Sequence, residues 1–321
     1  MGSAIVRALK SAGLANLVLR TRAELDLLDL AAVRRFFEHE KPEFVFVAAA
    51  KVGGIIANST FPAEFIYENT LIAAHLIDQS WRNGVKRLLY LGSSCIYPRA
   101  CPQPIAEAAM LTGPLEETNR AYAVAKIAGV EMCWSYNREY DTKFLAAMPT
   151  NIYGPGDRYD LQESHVIPAL IQKCHEAKLA GASEVVIWGT GAPLREFLFS
   201  EDAADALRHL MFLPDAEFTR ACGDAHLPPL VNIGSGIELT IRELACKVQA
   251  VVGFEGRLVF DSSKPDGTPR KLLDVSRIAS LGWKYRTSLE TGLQRAYADF
   301  LERFPAPLAP RSLQGQRPGA A

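Results

Sequence analysis

Apolar positions along this chain follow two spacings in alternation, and the alternation sets the expected fold. Blocks in which apolar residues recur every three and four positions predict amphipathic helices at 1–9, 31–40 and 62–81. The last has Ile66, Ile72, Ala73, Leu76 and Ile77 as its expected buried stripe and Gly84 as its stop. Between them, short apolar runs at 17–20, 44–50, 87–91 and 143–148 predict strands, the longer ones covered on both faces. A breaker-poor segment around Tyr122 predicts a further helix. Strand and helix in turn predict an α/β fold on a doubly wound parallel sheet. From residue 184 the elements shorten, with strands at 185–189, 194–198, 230–234 and 258–260 and helices at 202–213 and 241–252, the latter capped by Thr240. Segment 98–119, rich in Pro, Glu and Thr, reads as a loop, and 214–229 as a surface excursion. The division that follows is a main domain over 1–160, a smaller α/β lobe over 161–304 with some segments returning to the first, and a tail over 305–321 with too little to bury to stay ordered.

Composition narrows the partners. With 321 residues, 49% hydrophobic and 22% charged, the chain can bury a sizeable core, and a net charge of −1 gives no reason to expect nucleic acid or an anionic membrane. No apolar run approaches a membrane-spanning length and the N-terminus lacks a basic-then-apolar signal pattern, so the cytoplasm is the default location. The six cysteines have no CxxC or Cys/His ligand spacing, so neither a metal site nor a disulfide framework is expected. Five read as packing or surface residues, and Cys95 alone has a neighbourhood that suggests chemistry.

That neighbourhood is the end of the strand at 87–91. Gly92 closes it, so Ser93, Ser94 and Cys95 emerge at its carboxyl end, where ligands bind in open parallel sheets. Tyr122 and Lys126 are one helical turn apart and share a face. Such spacing also occurs on solvated helices, but a strand-terminal Ser-Ser upstream turns it toward hydride chemistry at a carbonyl. The ammonium lowers the phenol's pKa, the phenol gives a proton to the carbonyl oxygen, and the serine hydroxyl holds that oxygen. Arg20 and Arg22 stand where an NAD enzyme usually carries a carboxylate for the ribose hydroxyls; an arginine there suits a 2′-phosphate, and both also fit a solvated surface. Gly53 and Gly54 read equally as a plain turn or as backbone that approaches a ligand. By position alone His165 is a helix cap or core residue.

The strings Ala-Ala-Ala-Lys-Val-Gly-Gly-Ile (48–55), Leu-Gly-Ser-Ser-Cys-Ile-Tyr-Pro (91–98) and Ser-His-Val-Ile-Pro-Ala-Leu (164–170) resemble those of extended short-chain dehydrogenase/reductases, and within them the GDP-L-fucose synthase family. The resemblance runs from Gly2 to about Phe304. It implies a Rossmann-type sheet binding NADPH/NADP+ and a C-terminal lobe binding the nucleotide sugar. The implied reaction converts GDP-4-keto-6-deoxy-D-mannose by 3,5-epimerisation and then reduction at C4. Other sugar-nucleotide epimerases or dehydratases of the wider family, and a non-catalytic remnant, are the alternatives. The implied catalytic set is Ser93, Cys95, Tyr122, Lys126 and His165, with Cys95 and His165 as the acid–base pair of epimerisation. For the cofactor it implies Gly2, Arg22, Asp26, Leu27, Leu91, Gly92, Ser93, Ser94, Lys126, Pro149, Thr150, Asn151, Ile152 and His165. For the substrate it implies Lys173, Trp188, Arg195 and Asp266, Lys173 standing where relatives often have arginine. Members carry a first strand and a GxxGxxG turn of which Gly2 matches only the last glycine, and Met1 falls where they commonly have valine. The expectation is a valine codon taken as the start, with one strand and a turn upstream. A homodimer packed through helices that include the Tyr122 one is also implied.

Overall fold

The computed structural model describes residues 1–160, 164–224, 226–264 and 266–305, with Ile55 by its backbone only. The tail expected to be disordered lies, from 306 onward, outside the described residues. Helices α1 (Gly2–Ser11), α2 (Leu30–Glu40), α3 (Ile55–Thr60), α4 (Pro62–Arg82) and α5 (Arg120–Tyr140) alternate with strands β1 (Phe44–Val47), β2 (Arg87–Leu91) and β3 (Phe144–Pro149). There follow β4 (Asn151–Tyr153), α6 (Val166–Leu179), β5 (Glu184–Trp188), β6 (Leu194–Phe199), α7 (Ser200–Met211) and α8 (Asp215–Ala221). The chain then runs through β7 (Leu230–Ile233), β8 (Glu238–Thr240), α9 (Ile241–Val252), β9 (Arg257–Asp261), β10 (Arg270–Lys271), α10 (Ser276–Ser280) and α11 (Leu289–Arg303).

The main sheet is parallel in the order β1-β2-β3-β7. The two-residue period of its strands divides the core between two faces. On β2, Leu88 and Tyr90 point to the face covered by α2, α4 and α5, while Leu89 and Leu91 point to the face covered by α1, α7 and α8. All residues of β2 are buried, which is why Leu88–Leu91 reads as an unbroken apolar run. Smaller sheets carry the second lobe, one ordered β10-β6-β4 with β8 antiparallel on β6 and one pairing β5 with β9. They pack with α6, α9 and α11 around a separate apolar cluster. Thr240 and Glu243 form a reciprocal capping box at the start of α9. Among the described residues no helix is long and apolar enough to cross a membrane.

Several expectations change. Residues 17–20 form no strand, Leu19 is 55% exposed, and β1 has no neighbour on its outer edge among the described residues. A strand persists only through ladder partners, and β propensity without one gives extended chain. As the edge of the sheet, β1 is shorter than the apolar run and half-exposed rather than covered on both faces. On α4, Ile66 faces outward, and Phe65 and Asn69 take its place in the buried stripe. The stretch 214–229 is no surface excursion: it contains α8, whose Phe218 is fully buried. Arg87 at the start of β2 fixes this corner by donating to the carbonyls of Met211 and Leu213, each at 2.7 Å, and to Asp215 at 2.6 Å.

Candidate active site

The end of β2 and the first turns of α5 meet as the spacing predicts. At Gly92, at the strand end, a Cβ would stand 1.7 Å from the Met148 methyl carbon on β3, so any larger residue would have to displace that side chain. Ser93, in extended conformation, opens a tight turn over Ser94–Ile96, its hydroxyl oxygen accepting from the Cys95 N–H at 3.4 Å. Ser94 and Cys95, within this turn, are buried. From α5 the Lys126 ammonium donates to the Leu91 carbonyl at 2.8 Å and lies 5.7 Å from the Tyr122 ring centroid. The Tyr122 ring meets Phe65 of α4 edge-on at 6.3 Å. Phe65 in turn packs beside the 51–54 loop, which Asn69 pins by bonding both the N–H and the carbonyl of Lys51.

The electrostatics of this centre differ from the sequence expectation. Burial pushes the Tyr122 phenol well up instead of the Lys126 charge bringing it down, and burial draws the Lys126 ammonium down to about 8. The Cys95 thiol, expected at its ordinary value, is pushed up by burial, against opposing pulls from the Lys271 ammonium, the Ser93 hydrogen bond and Lys126. Lys271 of β10 was not among the residues singled out from the sequence. It lies beside Arg195 of β6 in strand register and close enough to Cys95 for each charge to act on the other.

The remaining candidates fall in separate places. His165 is the exposed N-cap of α6, with the half-buried Asp157 near it; no hydrogen bond among the described residues joins it to Cys95 or Tyr122. Pro149, Thr150, Asn151 and Ile152 run from β3 into β4, where Thr150 and Asn151 both bond the Glu196 carbonyl, at 3.1 and 2.8 Å. Glu196, fully buried, uses its carboxylate to accept from Gly236 and Leu273 N–H at 2.7 and 3.1 Å, so one residue ties the strand ends of both lobes. In the second lobe Trp188 is 61% exposed, with the ammonium groups of Lys173 and Lys264 at 5.8 and 5.7 Å from its ring. Asp266 accepts from the Thr190 N–H and hydroxyl at 2.9 and 2.7 Å and acts on Arg195.

A dinucleotide fits part of these positions. Gly2 opens α1 with free space where a Cβ would stand, and the Arg22 side chain is 73% exposed, 3.9 Å from the Glu68 carboxylate, available to a 2′-phosphate. Arg20, by contrast, is held by Glu40 at 2.5 Å. Asp26 accepts from the Leu28 N–H, and the Leu27 carbonyl bonds His75, so that stretch is fixed by its own chain. Gly2 is what the described residues offer of a glycine turn.

An α/β sheet with Tyr122 and Lys126 of a helix set against the Leu91–Ser93 strand end defines a class, and the chain belongs to the NAD dependent epimerase/dehydratase family, whose profile matches residues 1–222. Within it the chain falls among the GDP-L-fucose synthases. It is 55% identical to GDP-L-fucose synthase 1 of Arabidopsis thaliana, over 94% of this chain and 90% of that one. It is 52% identical to GDP-L-fucose synthase of Escherichia coli K12, over 94% of each. The structure of a GDP-mannoheptose C4 reductase from Campylobacter jejuni with NADP bound superposes with a TM-score of 0.85 at 39% identity, over 93% of this chain and 94% of that one.

Proposed function

We propose that this protein converts GDP-4-keto-6-deoxy-D-mannose to GDP-L-fucose by 3,5-epimerisation followed by NADPH-dependent reduction of the 4-keto group. The observation that carries this reading is a buried thiol beside a Ser/Tyr/Lys carbonyl site. Reduction alone needs no such thiol. Epimerisation does, because a C4 ketone acidifies the hydrogens at C3 and C5, and inversion needs a base on one face of the ring and an acid on the other.

In this reading Ser93 and Tyr122 hold the sugar O4, the phenol, kept protonated by burial, donating a hydrogen bond there. Cys95 takes the proton from the ring carbon as the Lys271 and Lys126 charges stabilise its thiolate, and His165 returns one from the opposite face. Gly2, Arg22 and 149–152 would hold NADPH, which would supply the hydride to C4. Arg195 meets a diphosphate oxygen and Trp188 lies against the base, with Lys173 and Asp266 at the same end. Location in the cytoplasm and a homodimer complete the reading, the latter supported by exposed Ile66 and Tyr67 of α4 and Val124 of α5.

Incubation with GDP-4-keto-6-deoxy-D-mannose and NADPH in deuterated water tests it. Cys95→Ser should lower deuterium uptake at C3 and C5 by about 10²-fold or more while NADPH oxidation falls less. Tyr122→Phe should suppress NADPH oxidation. Equal loss of both steps in Cys95→Ser would end the proposed division of labour.

A further inference from the structure

One aromatic ring at the centre of the protein has no part in the reaction above. Tyr90 is 1% exposed and stands on the face of β2 that meets α5. A Cβ at residue 129 would lie 2.4 Å from its ζ carbon and 2.5 Å from its hydroxyl oxygen, so the ring crosses α5 through a gap that only glycine leaves. One turn earlier on the helix, the Lys126 ammonium sits 4.8 Å from the Tyr90 ring centroid and bonds the carbonyl of the next residue, Leu91. Lys126 is 3% exposed, and among the described residues no carboxylate forms an ion pair with it. A buried ammonium needs compensation, and an aromatic face in a dry site supplies it.

We propose that Tyr90 is a positioning residue for Lys126, its ring holding the ammonium charged and beneath Tyr122, with Gly129 as the opening that admits it. The inference rests on the reading that Lys126 serves the reduction at C4. Burial already brings Lys126 down to about 8, so its charge is poised to respond to the loss of one favourable contact. The titratable groups facing the pair are Tyr122 and Cys133 of α5 and Cys95 from the turn after β2.

The test is the pH profile of kcat/KM for the reduction in the full chain. Tyr90→Leu should move the alkaline limb down by about one pH unit, the size of a desolvated cation–π contact, leaving about fivefold less activity at the wild-type midpoint. Tyr90→Phe, which keeps the ring, should restore the wild-type limb. A Tyr90→Leu limb at the wild-type position, or an equal displacement in Tyr90→Phe, overturns the inference, whereas a wild-type protein that reduces no GDP-4-keto sugar defeats the functional reading instead. Should Tyr90→Leu fail to fold, Tyr90→Phe with progressively fluorinated rings decides: the shape is kept, and the limb must drift down with each fluorine or the inference is wrong.

Discussion

Replacing Asn232 by leucine tests how the roof of the site is tied to the sheet. Asn232 on β7 is fully buried, and its side chain accepts from the Tyr97 hydroxyl at 2.5 Å and donates to the carbonyls of Ile105 and Asp274 at 2.9 and 3.1 Å. Asn232→Leu keeps the bulk and removes all of these bonds. The Ile105 carbonyl still accepts from the Asp274 N–H at 2.9 Å, so the orphaned groups are the Tyr97 hydroxyl and the Asp274 carbonyl. At ~1–3 kcal/mol for each buried polar group left unpaired, the variant should lose about 3 kcal/mol. For a chain of this size that is a fall in Tm of roughly 4–5 °C. Tyr97→Phe alone should also destabilise, because it orphans Asn232 Oδ1, but added to Asn232→Leu it should cost nothing. The cycle should therefore show a coupling of at least ~1 kcal/mol in urea denaturation of the four proteins. Tyr97 follows the Cys95 turn directly, so deuterium uptake should fall further than NADPH oxidation in Asn232→Leu. Equal costs of Tyr97→Phe in both backgrounds would refute the network.

Two further outcomes are expected. Burial holds the Glu196 carboxyl above its ordinary 4.5, so the folded protein keeps that proton at pH values where the unfolded chain has lost it. Its contribution is full below 4.5 and is lost as pH rises through the folded value, so the stability of wild type relative to Glu196→Gln should decline over that window in urea titrations, and a constant difference would refute it. Light scattering should give twice the 35.2 kDa chain mass, and Tyr67→Glu, on the exposed face of α4, should halve it; a monomeric wild type would remove the proposed interface.

What the sequence revealed, and what it hid, follows from the range of the interactions. The helices of residues 31–40 and 62–81 and the strand Arg87–Leu91 were legible because burial of a face is written in local periodicity. Tyr122 and Lys126 were legible for the same reason, being one turn apart. Strand 17–20 was misread because pairing depends on a neighbour that no local pattern specifies. Helix α8 escaped notice because it is short and fixed by Arg87, more than a hundred positions away. Glu196, Asn232, Lys271 and Tyr90 carry no motif of their own; their partners come from distant segments, as Asn232 and Tyr97 show at a separation of 135 residues. The shifts at Tyr122 and Cys95 were missed likewise, because depth of burial is a property of the assembled core.

The exposed indole at the end of β5 gives the molecule a reporter of its own. Of the four tryptophans, Trp283 is buried with its N–H on Asp205, Trp134 is tied to the Asp224 carbonyl and Trp81 is stacked on Tyr140. Trp188 alone stands largely in water, so red-edge excitation selects it. A guanine settling over that ring would quench and blue-shift its emission, making occupancy of the second lobe visible without a label and before any hydride moves.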